Sequence, residues 1–359
     1  KPYLYTLAME NGFSPCDQVR HVEQTLITET GEAWTPRNAN NKRYGEMVTL
    51  KWGLANSDNW ISAYLMGKLN PYNLVRLIHS FGVRNKAIDP VVSLCLGPCE
   101  ISVGEMVSAY TAFANKGIRV APLFVTRIED SDGNVLSTFA PQMEEVISVS
   151  SAYKMLVMLR SVINEGTGGR VRRYGITADM GGKTGTTNNE TDKWFCGFTP
   201  YYTASIWLGY DDNSKVLSKS ISHTKIWQTI MSQIHEGLST GEFTQPSGIV
   251  TAQVCSQSGK LAVAGLCDED PRGSQVITEY FSADNVPTEE CDTHVKVTIC
   301  NDSGDIASAG CTNTSTRVYI KKSSSGTASD EESSYSAYDS SYAITDEKLS
   351  RLCSLHNGS

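Results

Sequence analysis

Residues Gly181–Pro200 read GGKTGTTNNETDKWFCGFTP. Lys183 stands on backbone stripped bare by glycine, followed by hydroxyl residues and then by a run rich in aromatics. Two chemistries use such a stretch. A phosphate-binding loop requires Gly-x-x-x-x-Gly-Lys-[Ser/Thr] leading into a helix. Counting back from Gly182 puts Thr177 where the first glycine belongs. Gly185 to Asn189 is also a poor helix start, and the apolar residues beyond it alternate as in a strand. Acyl transfer fits better. The glycines let a substrate lie against the strand edge, Thr184 and Thr186 present hydroxyls there, and a backbone N–H can face a developing oxyanion. Lys183 supplies positive potential for a carboxylate. Standing alone, the stretch is equally readable as a glycine-rich strand entry with a surface lysine.

The bulk composition narrows the choice. At 359 residues the chain is long enough for two compact units. Its net charge of −8, with no dense Lys/Arg block, argues against a nucleic-acid partner. No apolar run approaches the length that spans a bilayer. The chain opens on Lys1 with no Met, which points to a fragment whose upstream portion is missing. Ten cysteines are many for a cytosolic enzyme of this size. Cys255, Cys267, Cys291, Cys300, Cys311 and Cys353 fall in the last third, a pattern that favours disulfides and an oxidising, extracytoplasmic location. Zinc is the competing reading, because Cys291 and His294 have Cys-x-x-His spacing. A structural site wants a second tight pair, and Cys300 and Cys311 are too widely spaced to supply one. Cys95 and Cys99 would strain any bridge between them.

Residues 1–240 alternate helical and strand-like patterns. A helix is expected over residues 44–56, with Met47, Leu50 and Leu54 at helical spacing. Another opens at Pro71 and stops at Gly82. A third carries a Ser102/Glu105 capping box and closes at Gly117, and a fourth runs from Ser151 to Asn164. LFVTRIED and VLSTF read as a hairpin. KWFCGF, with Trp194, Cys196 and Phe198 on one face, is expected to pair antiparallel with TASIWLGY, and TKIWQTIMSQI returns to helix. The fold class is therefore α+β, an antiparallel sheet flanked by helices. Residues 241–320 form a small Cys-containing β-rich module, and the Ser-rich stretch in 321–359 reads as a disordered tail. No internal repeat at a fixed period is evident.

A second motif settles the first. Ser57-Asp58-Asn59 follows the helix ending KWGLAN and precedes Lys183-Thr184-Gly185. Ser-x-x-Lys, then Ser-x-Asn, then Lys-Thr-Gly is the ordered set of penicillin-recognising serine enzymes. With KPYLYTLAME, YGEMVTLKWGLANSDN and ISVGEMVSAYTAFANKGIRVAPLFVTRIED alongside, residues 1–240 resemble the transpeptidase domain of class A penicillin-binding proteins, the bifunctional peptidoglycan synthases of bacteria. CSQSGKLAVAGLC and EECDTHV look, more weakly, like the C-terminal module of some Gram-positive members.

The resemblance implies a penicillin-binding-protein/β-lactamase-like transpeptidase fold. It also implies that Lys1-Pro2 is the tail of Ser-x-x-Lys-Pro, with the nucleophilic serine three positions before Lys1 and outside this chain. Lys1 would be the base that activates it, and Ser57 the hydroxyl that protonates the departing D-Ala. Asn59 would hold a substrate carbonyl, and Lys183 with Thr184 and Thr186 the terminal carboxylate. Gly185, Thr187 and Trp194 complete the expected substrate cleft, with the Thr186 N–H in the oxyanion hole. The implied reaction is D,D-transpeptidation of peptidoglycan stem peptides through an acyl-enzyme. β-Lactam antibiotics would be trapping ligands, and other cell-wall synthesis proteins are further partners. No metal or organic cofactor is required, and no metal ligand is assigned. The implied location is the extracytoplasmic face of the bacterial membrane, anchored only through a missing N-terminal segment. The Glu-x-x-Leu-Asn-like loop of class A β-lactamases has no counterpart in DPVVSLCLGPCE. A D,D-carboxypeptidase, or a non-catalytic cell-wall-binding scaffold, are the remaining alternatives.

Overall fold

The structure is a computed structural model and describes all residues except 40, 217–221, 323–340 and 357–359. Helix α1 (Pro2–Glu10) starts on a proline at its first position, where a missing N–H costs nothing, and buries eight of its residues. Short strands β1 (Gln18–Arg20), β2 (Leu26–Ile27), β3 (Ala33–Trp34) and β4 (Met47–Thr49) follow. They pair as β1 with β4 and β2 with β3, all antiparallel. The helix expected over residues 44–56 is therefore shorter than its apolar spacing suggested. Met47–Thr49 is drawn into pairing with β1, and α2 (Leu50–Ala55) begins only where Thr49 caps the Trp52 N–H. Helix α3 (Asn59–Lys68) comes next, then α4 (Pro71–Ser80), and Gly82 stands at φ 88° just beyond.

Helix α5 (Val103–Ala114) carries the expected capping box, with the Ser102 and Glu105 side chains each serving the other's backbone. Strands β5 (Ile118–Val120) and β8 (Met143–Glu145) pair antiparallel around the expected hairpin of β6 (Arg127–Glu129) and β7 (Val135–Thr138). Helix α6 (Val149–Asn164) is apolar nearly all round and sits in the middle of the molecule, with twelve residues buried. Its buried Lys154 spends its ammonium at the end of α1, donating to the carbonyls of Met9 and Phe13 at 3.1 Å each. A cation there offsets the negative end of the helix dipole.

Strands β9 (Gly181–Thr186), β10 (Asp192–Phe198) and β11 (Thr203–Gly209) form an antiparallel sheet in the order β11-β10-β9, so β9 is an edge. Cys196 and Phe198 face the main core with α5 and α6. The opposite face is covered too. Phe195 is fully buried against Trp227 of α7 (His223–Ile234), ring centroids 5.0 Å apart. The sheet thus lies between two helical layers, where the alternation of KWFCGF had suggested one buried face.

Beyond residue 240, β12 (Ile249–Cys255) pairs with β13 (Val276–Ser282), and β14 (His294–Cys300) with β15 (Thr314–Lys322). The expected disorder over the Ser-rich stretch lies mostly on residues 323–340, outside the described ones. Residues 341–356 are folded, which corrects the tail assignment. Strand β16 (Ala343–Thr345) pairs parallel with β15 and leads into α8 (Asp346–Ser350). The disulfide expectation is also corrected, because all ten cysteines are free thiols. The six C-terminal ones gather, with His294 and His356, into two sets of three cysteines and a histidine. The wide Cys300/Cys311 spacing had seemed to exclude such a set. Its remaining members, Cys353 and His356, lie in the segment read as tail.

The first of these modules braces the main domain. Lys51 of α2 forms an ion pair with buried Glu279, Gln18 Nε2 donates to Ser256 O at 2.9 Å, and Asn285 Nδ2 donates to Gly12 O at 2.7 Å. Among the described residues, no helix is long and apolar enough to cross a membrane.

Gly166 makes the closest backbone approach near the sheet edge. A Cβ there would lie 2.1 Å from the Ala55 carbonyl oxygen, while Gly104 on α5 has open space. Gly166→Ala is expected to lower stability by about 1–3 kcal/mol by forcing backbone against backbone. Gly104→Ala, in a helix, is expected to raise it by about 0.5 kcal/mol. Urea midpoints at unchanged m-value measure both. A neutral Gly166→Ala would mean that this loop does not rest on the end of α2.

Candidate active site

The chain between α2 and α3 is bent so that one hydroxyl projects from the corner. Ser57 holds φ at 56°, a left-handed value uncommon for a residue with a side chain. It is kept there by hydrogen bonds from Ser57 N to Leu54 O (3.1 Å) and from Asp58 N to Gly53 O (2.8 Å). Asp58 then caps α3 by accepting from the Ile61 N–H at 3.0 Å. Its other oxygen meets His21 Nε2 at 2.8 Å and Asn38 Nδ2 at 2.5 Å, and both Asp58 and His21 are buried. A buried carboxylate needs such partners to stay satisfied.

Asn59, the first residue of α3, is oriented by its neighbours. Its N–H donates to Asn38 Oδ1 at 3.1 Å, and its side-chain amide donates to Arg37 O at 2.7 Å. That leaves Asn59 Oδ1 to accept from Lys1 Nζ at 2.7 Å. On the other side of the corner, Lys183 Nζ donates to Ser57 Oγ at 3.0 Å and to Thr184 O at 2.9 Å. Residues 1, 57, 59 and 183 thus meet in one place, drawn from α1, the α2–α3 corner and strand β9.

Both amines are held out of water. Burial lowers the Lys1 pKa to about 8, with Cys95 and Asp58 acting in the opposite sense. Burial, and then the charge of Lys1, lowers that of Lys183 to about 7. Each is therefore poised to change protonation state near neutrality, which an exposed lysine is not.

Burial falls along β9, from the enclosed Gly181, Gly182 and Lys183 to the open Thr186. Thr184 Oγ1 lies 2.9 Å from Thr167 Oγ1, on the loop that Gly166 seats against α2. Gly185 pairs with Trp194 across the strands, and a Cβ on Gly185 would come within 3.2 Å of the Trp194 side chain. Trp194 is partly buried against the core and stands near Trp207, centroids 6.5 Å apart. Thr187 is not brought into the groove. Its hydroxyl lies 2.9 Å from Thr191 Oγ1 and accepts from the N–H groups of Thr191 and Asp192, closing the turn from β9 to β10. His21, Asn38 and Thr167 were missed in the sequence. They act on motif residues from 17 or more positions away, and no local pattern marks them.

Known proteins resemble this chain in sequence and in fold. Residues 1–232 match the family described as penicillin binding protein transpeptidase domain, and residues 245–296 match the penicillin-binding protein 1A C-terminal domain. Penicillin-binding protein 1A of Clostridium novyi is 32% identical over 301 residues, which cover 82% of this chain and 34% of that protein. The Aquifex aeolicus protein of the same name is 34% identical over 227 residues, 63% of this chain and 30% of that one. The chain thus spans about a third of the length of these relatives. Among solved structures, penicillin-binding protein 1A from Haemophilus influenzae superposes with a TM-score of 0.73 at 23% identity, covering 81% of this chain and 48% of that one. PonA1 from Mycobacterium tuberculosis in complex with penicillin V superposes at 0.60 with 22% identity, covering 68% and 70%. At those identities the likeness is one of fold. With the match to residues 1–232 covering more than half of its length, the chain belongs to the penicillin-binding protein transpeptidase family.

Proposed function

We propose that this chain is the acyl-transfer part of a longer enzyme that cross-links peptidoglycan stem peptides on the outer side of a bacterial membrane. One observation carries the reading. Lys1 on Asn59 and Lys183 on Ser57 place two low-pKa amines and one hydroxyl beside an open strand edge. In this reading the nucleophile is a serine three residues before Lys1, one turn earlier on the helix that Lys1 enters. Lys1, when neutral, takes the serine proton as the serine oxygen bonds to the penultimate D-Ala carbonyl carbon. The Thr186 N–H, with that of the serine, receives the oxyanion. Thr184 and Lys183 hold the terminal carboxylate, and Asn59 holds a peptide carbonyl. As the C–N bond breaks, Ser57 gives its proton to the departing D-Ala amine and regains one from Lys183. An amine from a second stem peptide reverses these steps on the acyl-enzyme and forms the cross-link. A β-lactam would follow the first half only.

The two lysines also suggest how substrate sets the protonation state. With its pKa at about 7, Lys183 is only partly charged near neutrality, while Lys1 at about 8 still carries most of its charge in the free groove. A bound carboxylate favours the charged form of Lys183. That added charge favours neutral Lys1, the form that can act as a base. Because the charge of Lys1 bears on Lys183, substrate binding would bias which nitrogen holds the proton.

The test is covalent labelling with a fluorescent penicillin, on a polypeptide that extends upstream through the serine. Labelling is expected, and Lys183→Met should slow acylation about 10²-fold or more. A polypeptide that resists the label, or one labelled equally well after the serine is replaced, contradicts the reading.

The same lysine has a stability signature measurable on the present chain. A lysine whose pKa is lowered by folding makes the folded state bind fewer protons than the unfolded one, so stability rises with pH across that window. For Lys183 the window runs from about 7 up to the ordinary value of 10.5. Lys183→Met is therefore expected to raise stability by about 1–2 kcal/mol at pH 6. The gain should shrink as pH climbs from about 7 toward 10.5, as followed by urea denaturation. A variant less stable than wild type at pH 6 would show that the buried charge is not a burden.

A further inference from the structure

The C-terminal region repeats one construction twice. Strand β12 ends in Cys255 and β14 ends in Cys300. Each cysteine opens a turn, Cys-Ser-Gln-Ser-Gly-Lys-Leu-Ala in the first copy and Cys-Asn-Asp-Ser-Gly-Asp-Ile-Ala in the second. The turn glycines hold φ at 71° and 74°, and each donates its N–H to the cysteine carbonyl at 2.8 Å. Leu261 and Ile306 then bridge back to Val254 and Ile299, and forward to Glu290 and Leu352. A further cysteine (Cys267, Cys311) and a Cys-x-x-His pair (Cys291/His294, Cys353/His356) complete each copy. The Ser-rich stretch lengthens the second copy between β15 and β16, which is why no fixed period shows in the sequence.

We propose that each copy binds one Zn²⁺ through three thiolates and one histidine, as a structural site. The four ligand atoms of each set lie within 4.8 Å of one another. In the first set His294 Nδ1 is 3.5 Å from the sulfurs of Cys255 and Cys291. In the second His356 Nδ1 is 3.4, 3.5 and 3.4 Å from those of Cys300, Cys311 and Cys353. A tetrahedral zinc with Zn–S about 2.3 Å and Zn–N about 2.0–2.1 Å puts sulfur and nitrogen about 3.5 Å apart. Three cysteines cannot all pair as disulfides within a set, and none of the six does so.

The surroundings fit the same occupant. His294 Nε2 meets the buried Asp270 carboxylate at 2.8 Å, and Asp270 is itself held by Arg272 at 3.0 Å. That bond places the ring proton on Nε2 and leaves the Nδ1 lone pair facing the thiols, the arrangement usual for a zinc-bound histidine. His356 Nε2 lies 3.4 Å from Asp302 in the same sense. Backbone N–H groups also point at ligand sulfurs, Gln257 to Cys255 at 3.4 Å and Ser308 to Cys311 at 3.3 Å. In the first module the buried hydrophobic cluster at the site consists of the three cysteines themselves. A segment so small lacks a core sufficient to hold it, and a metal substitutes for one. Binding displaces the thiol protons to solvent, so affinity rises with pH.

The occupant and the site ligands are tested together on the whole chain, purified under reducing conditions without chelator. Elemental analysis is expected to give two zinc ions per chain, falling to one in Cys291→Ser and to one in Cys353→Ser. Because a ligand variant can lose metal by unfolding, wild-type chain stripped of metal is titrated with Co²⁺. Thiolate-to-cobalt charge-transfer bands and intense tetrahedral d–d bands should grow until two equivalents are bound. Fewer than two zinc ions per wild-type chain, cysteines recovered as disulfides, or a Co²⁺ titration without thiolate bands would each overturn the proposal.

Discussion

Two lysine amines share one poorly hydrated groove, and the rest of the molecule is arranged to keep them there. An ammonium out of water is costly unless its hydrogen bonds are met. Here Asn59 takes one bond from Lys1, while Ser57 and the Thr184 carbonyl take two from Lys183. The result is a pair of groups near their titration points, the condition for moving protons at neutral pH. The same proximity makes the pair a source of instability. Helix α1 must be buried almost completely to hold Lys1 at its start, and α6 must fill the centre so that β9 can lie against it.

Several secondary devices serve that constraint. Asp58 ties the α2–α3 corner to His21 and Asn38, so Ser57 has no freedom to relax from its left-handed conformation. The tight seat of Gly166 on Ala55 brings Thr167 to Thr184 and fixes the sheet edge from outside. The first C-terminal module reaches the same corner indirectly, through the ion pair between Glu279 and Lys51 of α2. Shape in that module therefore bears on the groove without contributing a reacting group.

What the sequence disclosed was local or ordered along the chain. The Ser102/Glu105 box, the Pro71 start and the pairing of β10 with β11 each follow from a few adjacent side chains. The motif residues Ser57, Asn59 and Lys183 were legible because their order matches the known motif set of penicillin-recognising serine enzymes. The misses share a physical cause, since each depended on a partner distant in sequence. Met47 is helical by spacing but is claimed by β1. Phe195 was not assigned to the core, and it is α7 that buries it. Thr187 has the composition of the groove but the hydrogen bonds of a turn. The Cys291/His294 spacing raised zinc, but the full cysteine–histidine sets were not legible because their ligands are drawn from separated segments, some of them beyond the Ser-rich stretch.

The most direct measurement is a pH titration of the chain carrying ¹³C-labelled lysine side chains, followed by NMR, with Lys183→Arg used to assign the second signal. Lys1 and Lys183 are expected to change charge near 8 and near 7, with buried Lys154 also shifted below its ordinary value. If every lysine instead titrates together near its ordinary value of 10.5, the amines are solvated, and the groove described here does not exist in solution.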